Sequence, residues 1–472
     1  MKVRSLTAGL ALLLAVACTA PTPPRSLPGR PAGAAPLCAR PSGGLAPETA
    51  TTIDVVEQAY FCVIDHYYSG ATLDPRSLLT AGFVGLTREL GRAGRDVAEA
   101  TMPALTGDKT ADWTAFEATF RRIADKVPAL KERLAAATLE ALVAGLGDDH
   151  ARWTHGGRRP PDSYDGDQYG LGLRTNIARG ADPGSALPPL FVTDVLGGAA
   201  QRAGLRPGDL IESINGSAPF AGGTMFPAAV AALSPEYPED SPVRLRVLRE
   251  STGRRWTVSL KPGVFTPDLA KLQRVTSKLV GGSVAYVKLT AFAPDAATRV
   301  LKAIATLRAG RTLTGVVLDL RGNTGGSAEE PTKLISGWVH GKVTAYLCSA
   351  DGRCESARTD DTIALVGLPL AVLVDRGCAS ACEHFSSGVK DLKLGILVGT
   401  RTAGVISGPA APYVLADNTM VSFPAKHHLG PNREVLDRIG VAPDHYVPLT
   451  ARDAAAGRDP ALAKALTLVG SS

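Results

Sequence analysis

Residues 315–326 read Gly315-Val316-Val317-Leu318-Asp319-Leu320-Arg321-Gly322-Asn323-Thr324-Gly325-Gly326. The first half is a short apolar run bounded by turn residues, the pattern of a strand buried on both faces. The second half, with its glycines and Asn323, reads as the loop that follows that strand. Upstream, Val284-Ala285-Tyr286-Val287-Lys288-Leu289 is a second strand, and residues 296–307 carry apolar side chains at the three- and four-residue spacing of an amphipathic helix. Downstream, residues 371–374 form another buried run. Strands alternating with helices predict an α/β layer built on a mainly parallel sheet, where catalytic loops collect at the carboxyl ends of the strands.

A second strand-end loop is Asp375-Arg376-Gly377-Cys378-Ala379-Ser380-Ala381-Cys382-Glu383. Its small residues let the backbone turn tightly and present the Ser380 hydroxyl at a helix N-terminus, where amide dipoles favour developing negative charge. The N–H of Ala381 and an N–H from the Gly325-Gly326 turn are the candidate oxyanion donors. Taken alone, Ser380 reads more readily as a helix N-cap.

Outside this layer the composition changes. Residues 45–155 read as an N-terminal helical domain, with apolar spacing in Ile53-Val56-Ala59-Tyr60-Val63 and Leu134-Leu139-Leu142-Val143. Residues 156–166 are a Gly/Pro/Arg break, and residues 165–262 carry short β runs separated by Gly and Pro. The α/β layer spans 265–450, and residues 451–472 are read as a C-terminal tail.

At the start of the chain, Lys2 and Arg4 precede an apolar run too short to span a bilayer, and Ala15-Val16-Ala17 precede Cys18. Residues 1–18 are therefore an export signal resembling a lipoprotein signal, with Cys18 as the lipidation site. Residues 19–44, rich in Pro, Ala and Gly, are a tether unable to offset their chain entropy by burial. This places the protein in the cell envelope, outside the cytoplasm. The formal charge of +6 falls to +4 once Lys2 and Arg4 leave, too small and dispersed to suggest nucleic-acid binding. Of 7 cysteines, six remain after Cys18, and disulfides are expected in an oxidising compartment. Cys348 and Cys354 flank the turn pair Asp351-Gly352 and form the first candidate bridge; Cys38 with Cys62 is the second. Cys378 and Cys382 are read either as a ring around Ser380 or as small buried thiols. No metal or other cofactor is expected, since four thiolates at zinc-site spacing are absent.

Two resemblances sharpen these readings. Tyr169-Gly170-Leu171-Gly172-Leu173, followed by Ala203-Gly204-Leu205-Arg206-Pro207-Gly208-Asp209-Leu210-Ile211 and Ile214-Asn215-Gly216, resembles a PDZ domain. The glycines would free N–H groups for a terminal carboxylate while the adjacent strand edge accepts an extended peptide. From about residue 141 to 447 the chain resembles the S41 family of carboxyl-terminal-processing and tricorn-like serine peptidases. The resemblance rests on Leu146-Gly147-Asp148-Asp149-His150, the two loops above, Val398 to Gly404, and Leu436-Asp437-Arg438-Ile439-Gly440-Val441-Ala442-Pro443-Asp444. It implies a crotonase-like α/β core beside a β-rich PDZ domain that presents a substrate's carboxyl end.

A hydroxyl needs a base. The processing branch of the family supplies a lysine where Val405 stands here, whereas the tricorn-like branch uses the histidine of a Leu-Gly-Asp-x-His segment, matched by His150. An imidazole titrates close to neutrality and suits the role. The resemblance puts Asp437 behind the ring, at a position where relatives carry glutamate, with Asp149 as a substitute. The expected chemistry is acyl-enzyme hydrolysis of protein or peptide substrates with exposed C-termini by Ser380, His150 and Asp437. A catalytically inactive peptide-binding scaffold with the same fold is the alternative.

Overall fold

The computed structural model describes residues 38–42, 46–69, 72–155, 167–177, 186–235, 237, 239–267 and 274–470; Cys18 and residues 156–166 lie outside them. The buried runs of the sequence become a six-stranded sheet. Its order is Val275–Val280, Val284–Leu289, Gly315–Asp319, Leu370–Val374, Ile396–Gly399 and His445–Tyr446. The first pair is antiparallel and every later pair parallel.

Strand alternation splits the side chains between two layers. Val316, Leu318, Val372 and Val374 join the core under the helices Ala296–Arg308 and Ala381–Asp391, while Val317, Ala371 and Leu373 face the opposite side. That opposite side is covered by Ala461, Ala465 and Val469 of the helix Pro460–Val469. The expected C-terminal tail is thus corrected: residues 451–469 form the helices Ala451–Ala455 and Pro460–Val469, and the second seals one face of the sheet. Asp459 caps it by accepting from the Leu462 amide, and Pro460 sits at its first position, where a missing N–H costs nothing.

Four helices, Ile53–His66, Pro75–Arg92, Lys109–Lys126 and Lys131–Ala144, form the N-terminal part. Their core does not close on itself. It includes Tyr413, Val421 and Phe423 from the hairpin Ala410–Val414 and Met420–Pro424, so the boundary drawn at 155 divides one hydrophobic core. The strand Arg152–Thr154 extends the same hairpin by pairing with Met420–Pro424. His150 precedes that strand, and this is how a histidine from the helical end reaches the sheet.

Residues 167–267 have a core of their own, including Leu190, Val192, Ile211, Leu245 and Val247, around a three-stranded antiparallel sheet of Leu210–Ile214, Val243–Arg249 and Arg254–Leu260. The buried Asp209 carboxylate is paired with Arg249 at 2.8 Å and accepts the Arg206 amide, which fixes the Arg-Pro-Gly-Asp turn. Both candidate disulfides are present, Cys38–Cys62 and Cys348–Cys354, and Cys378–Cys382 is a third.

Candidate active site

Ser380 stands between the strand Leu370–Val374 and the helix Ala381–Asp391 with φ 55° and ψ −118°. A residue with a Cβ adopts a positive φ only when its surroundings enforce it. The enforcing contacts are local. Its amide donates to Val405 O at 2.8 Å and to Glu383 Oε2 at 3.2 Å, and the Ala379 amide donates to Asn323 O at 3.0 Å. Glu383, fully buried, also accepts from Thr402 Oγ1 and from the amides of Gly404 and Val405. Burial nevertheless pushes its carboxyl up to about 7. Cys378 and Cys382 close a bridge across the same turn, and both are 0% exposed.

The loop after Gly315–Asp319 lies directly over this turn. Asn323, also fully buried, donates through Nδ2 to Leu289 O and accepts the Gly325 amide at 2.9 Å. Gly325 is therefore corrected as an oxyanion donor: its N–H is spent inside the loop. Its role is spatial, because a Cβ there would lie 2.7 Å from Ser380 Cβ and 3.0 Å from the Ala381 nitrogen. The amides of Gly326 and Ala381 have no hydrogen-bond acceptor among the described residues, so the available N–H of the Gly325-Gly326 turn is that of Gly326. Asp375 Oδ1 accepts the amides of Gly322 and Gly377 and so ties the two loops together.

His150 Nε2 lies 3.3 Å from Ser380 Oγ, across 230 positions of sequence. Burial lowers the imidazole pKa from its ordinary value, against a smaller opposing pull from Asp148, then Asp437, then Asp149. The neutral, proton-accepting form is thereby favoured. The ring's other nitrogen does not meet Asp437. Nδ1 lies 3.1 Å from Ser407 Oγ, which donates to Asp148 Oδ1 at 2.7 Å. Asp148 also accepts the His150 amide at 2.9 Å and the Tyr67 hydroxyl at 2.8 Å. Asp437, one methylene shorter than the glutamate of relatives, accepts the Ile406 amide at 3.2 Å instead, and no hydrogen bond joins it or Asp149 to the ring among the described residues. The expected Asp437–His150 contact is corrected accordingly. Lys390, the lysine on the helix that follows Ser380, donates to Ala442 O and pairs with Asp444.

Residues 283–447 match the model of peptidase family S41. Over that stretch the chain is similar to peptidase family S41. It is 30% identical over 314 residues to carboxyl-terminal-processing peptidase 2, chloroplastic, of Arabidopsis thaliana, covering 66% of this chain and 60% of that protein. It is 28% identical over 286 residues to the carboxyl-terminal-processing protease of Synechocystis, covering 60% of this chain and 63% of that protein. The chain thus spans less than two thirds of the length of either relative. The solved photosystem II D1 C-terminal processing protease shares the fold, with a TM-score of 0.52 at 20% identity over 84% of this chain and 93% of that one.

Of the residues named from sequence, His150 and Ser380 lie within 3.3 Å of each other and Ala381 directly follows Ser380, while Ser407, Asp148, Tyr67 and Glu383 were not foreseen as parts of the site. Glu383 and Asp148 were legible as members of motif segments, but their partners come from loops distant in sequence. Tyr169 to Leu173 sit in the 167–267 region, where Gln168–Gly170 pairs with Gly263–Phe265 and Leu173–Thr175 with Val192–Val195. Gly172 has φ 81°, and a Cβ there would collide with the carbonyl of Gly197, so only glycine fits.

Proposed function

We propose that this chain is a serine endopeptidase that cleaves proteins or peptides with exposed carboxyl ends. The observation that carries the reading is the 3.3 Å approach of His150 Nε2 to Ser380 Oγ, with the amides of Gly326 and Ala381 lacking an acceptor among the described residues. Ser380 Oγ attacks the scissile carbonyl as its proton passes to His150 Nε2, and the amides receive the oxyanion. The protonated ring then gives that proton to the leaving amine, and water hydrolyses the acyl-enzyme by the same path.

Residues 167–267 act in this reading as a PDZ module. Support comes from the second edge of Leu173–Thr175, which has no partner strand among the described residues and is open to an added peptide strand. That strand lines a cleft of about 1380 Å³ whose far wall includes Thr324, Gly377 and Ala379, next to the nucleophile. A peptide held on the edge by its carboxylate at Tyr169 to Leu173 would lead along the cleft to Ser380. The export signal and lipid anchor at Cys18 place this activity in the cell envelope, and the bridges at Cys38–Cys62 and Cys348–Cys354 agree with an oxidising compartment.

The test is labelling by a fluorophosphonate and cleavage of fluorescein-labelled β-casein. The parent protein should show both and Ser380→Ala neither. Casein cleavage by Ser380→Ala at the parental rate would remove the mechanism, and a folded parent that neither labels nor cleaves would favour the inactive scaffold.

A further inference from the structure

We infer that Ser407 and Asp148 together are the orienting acid of this site, Ser407 Oγ passing the pull of the Asp148 carboxylate to His150 Nδ1. The inference rests on the Ser380–His150 reading above and assigns the half of the site that Asp437 leaves vacant.

The chain of atoms admits one donor order. Ser407 Oγ–H is given to the Asp148 carboxylate, so Ser407 offers Nδ1 only a lone pair, the neutral ring carries its proton on Nδ1, and Nε2 is left to accept from Ser380 Oγ–H. Nδ1–H then donates to Ser407 Oγ at 3.1 Å, and Ser407 Oγ–H donates to Asp148 Oδ1 at 2.7 Å. Asp148 ends the chain as a pure acceptor. Its two oxygens are held from outside the relay by the His150 amide at 2.9 Å and by Tyr67 Oη at 2.8 Å. No donor is left facing a donor and no acceptor an acceptor, the condition for a network that fixes a tautomer.

The electrostatics agree. The charged and titratable groups around the ring are Asp148, Asp437, Asp149, Arg152 and His428, and among the carboxylates Asp148 exerts the largest pull. When Ser380 Oγ–H breaks, its proton goes to Nε2 and Oγ bonds the carbonyl carbon. The ring becomes an imidazolium whose Nδ1–H still points at Ser407. Asp148 stabilises that positive charge through the hydroxyl without taking a proton itself. Asp437 supports the relay at one remove, since it holds the amide of Ile406, the residue before Ser407.

Ser407 and Asp148 are positioning residues, because they act through His150. Steady-state cleavage of fluorescein-labelled β-casein by the signal-free, disulfide-intact protein separates this role from a structural one. Ser407→Ala should lower kcat on the order of 100-fold with KM nearly unchanged, within the span of general acid–base catalysis. Ser407→Thr, which keeps the hydroxyl, should recover most of that loss, an outcome loss of packing would not give. Asp148→Asn should also lower kcat, and it should move the acid limb of the kcat/KM profile to lower pH, because removing a negative charge disfavours the imidazolium. Thermal melts of each variant identify any that fails to fold, and Ser407→Ala, which leaves the Asp148 turn intact, carries the test if Asp148→Asn does. Parental kcat in Ser407→Ala, or a larger kcat loss in Asp437→Asn than in both relay variants, overturns the inference. Parental cleavage by Ser380→Ala or His150→Gln would instead overturn the underlying reading, so the two failures are told apart.

Discussion

At the scale of single residues, the site is shaped as much by what glycine omits as by what side chains supply. Gly325 has φ 97°, and a Cβ on it would fill the space between Ser380 Cβ, Ala379 O and the Ala381 nitrogen, beside the oxyanion site proposed above. Gly325→Ala should therefore cut kcat on the order of 100-fold, as loss of an oxyanion contact does. It should also lower the melting temperature, because a left-handed φ costs a residue with a side chain about 1–2 kcal/mol. Casein kinetics and a thermal melt check both, and a variant with parental kcat would mean that the oxyanion lies elsewhere. The same scale explains why Asp437 was misplaced by sequence. Its segment matches the family, but its carboxylate accepts the Ile406 amide and makes no hydrogen bond to the ring among the described residues. A match of segments specifies where a backbone goes and not how far a carboxylate reaches.

At the scale of elements, the strand–turn–helix around Ser380 was legible because each part carries its own signal: an apolar run, small residues, then a helix. His150 was legible only through the Leu-Gly-Asp-x-His segment, since nothing in periodicity pairs residues 230 positions apart. Ser407 gave no such signal. It is one hydroxyl in a loop following a missing lysine, and its importance comes from the hairpin Ala410–Val414 and Met420–Pro424, which brings Arg152–Thr154 alongside. The Cys378–Cys382 bridge, left open by sequence, bears on the turn in a way burial makes testable. Thiol–disulfide exchange requires access to a sulfur, and both of these are 0% exposed. The bridge should therefore resist millimolar dithiothreitol while the protein stays folded, and casein cleavage should persist. The half-buried Cys348–Cys354 pair on its hairpin should open under the same treatment. Alkylation and peptide mass mapping before and after unfolding decide the matter; early labelling of Cys378 and Cys382 with parallel loss of activity would make the bridge a redox switch instead of a fixed brace.

At the scale of the whole molecule, the chain ends hold the catalytic layer from two sides. From the N-terminal helices, Tyr67 reaches Asp148, and their core is completed by the hairpin of residues 410–424. From the C-terminus, Asp459 pairs at 2.7 Å with Arg321, which in turn pairs at 2.6 Å with the fully buried Asp319 at the root of the oxyanion loop. The helix Pro460–Val469 then covers the sheet so closely that a Cβ on Gly315 would lie 2.6 Å from Val469 Cβ. The signal for this helix was present in the sequence as an Asp-Pro start followed by Leu462, Ala465, Leu466 and Val469 at helical spacing. A reading that stops at the family's last motif overlooks it. Ending the chain after residue 450 exposes Val317, Ala371, Leu373 and Val398 on one face of the sheet and leaves Arg321 with one of its two carboxylates. Each large apolar side chain returned to water forfeits about 1.5–3 kcal/mol, and a domain's whole margin is about 5–15 kcal/mol, so the loss is of the same size as the stability itself. The truncated chain should accumulate as insoluble protein, or melt far below the full-length chain and cleave no casein. A soluble truncation with parental melting temperature would reduce residues 451–469 to a dispensable tail.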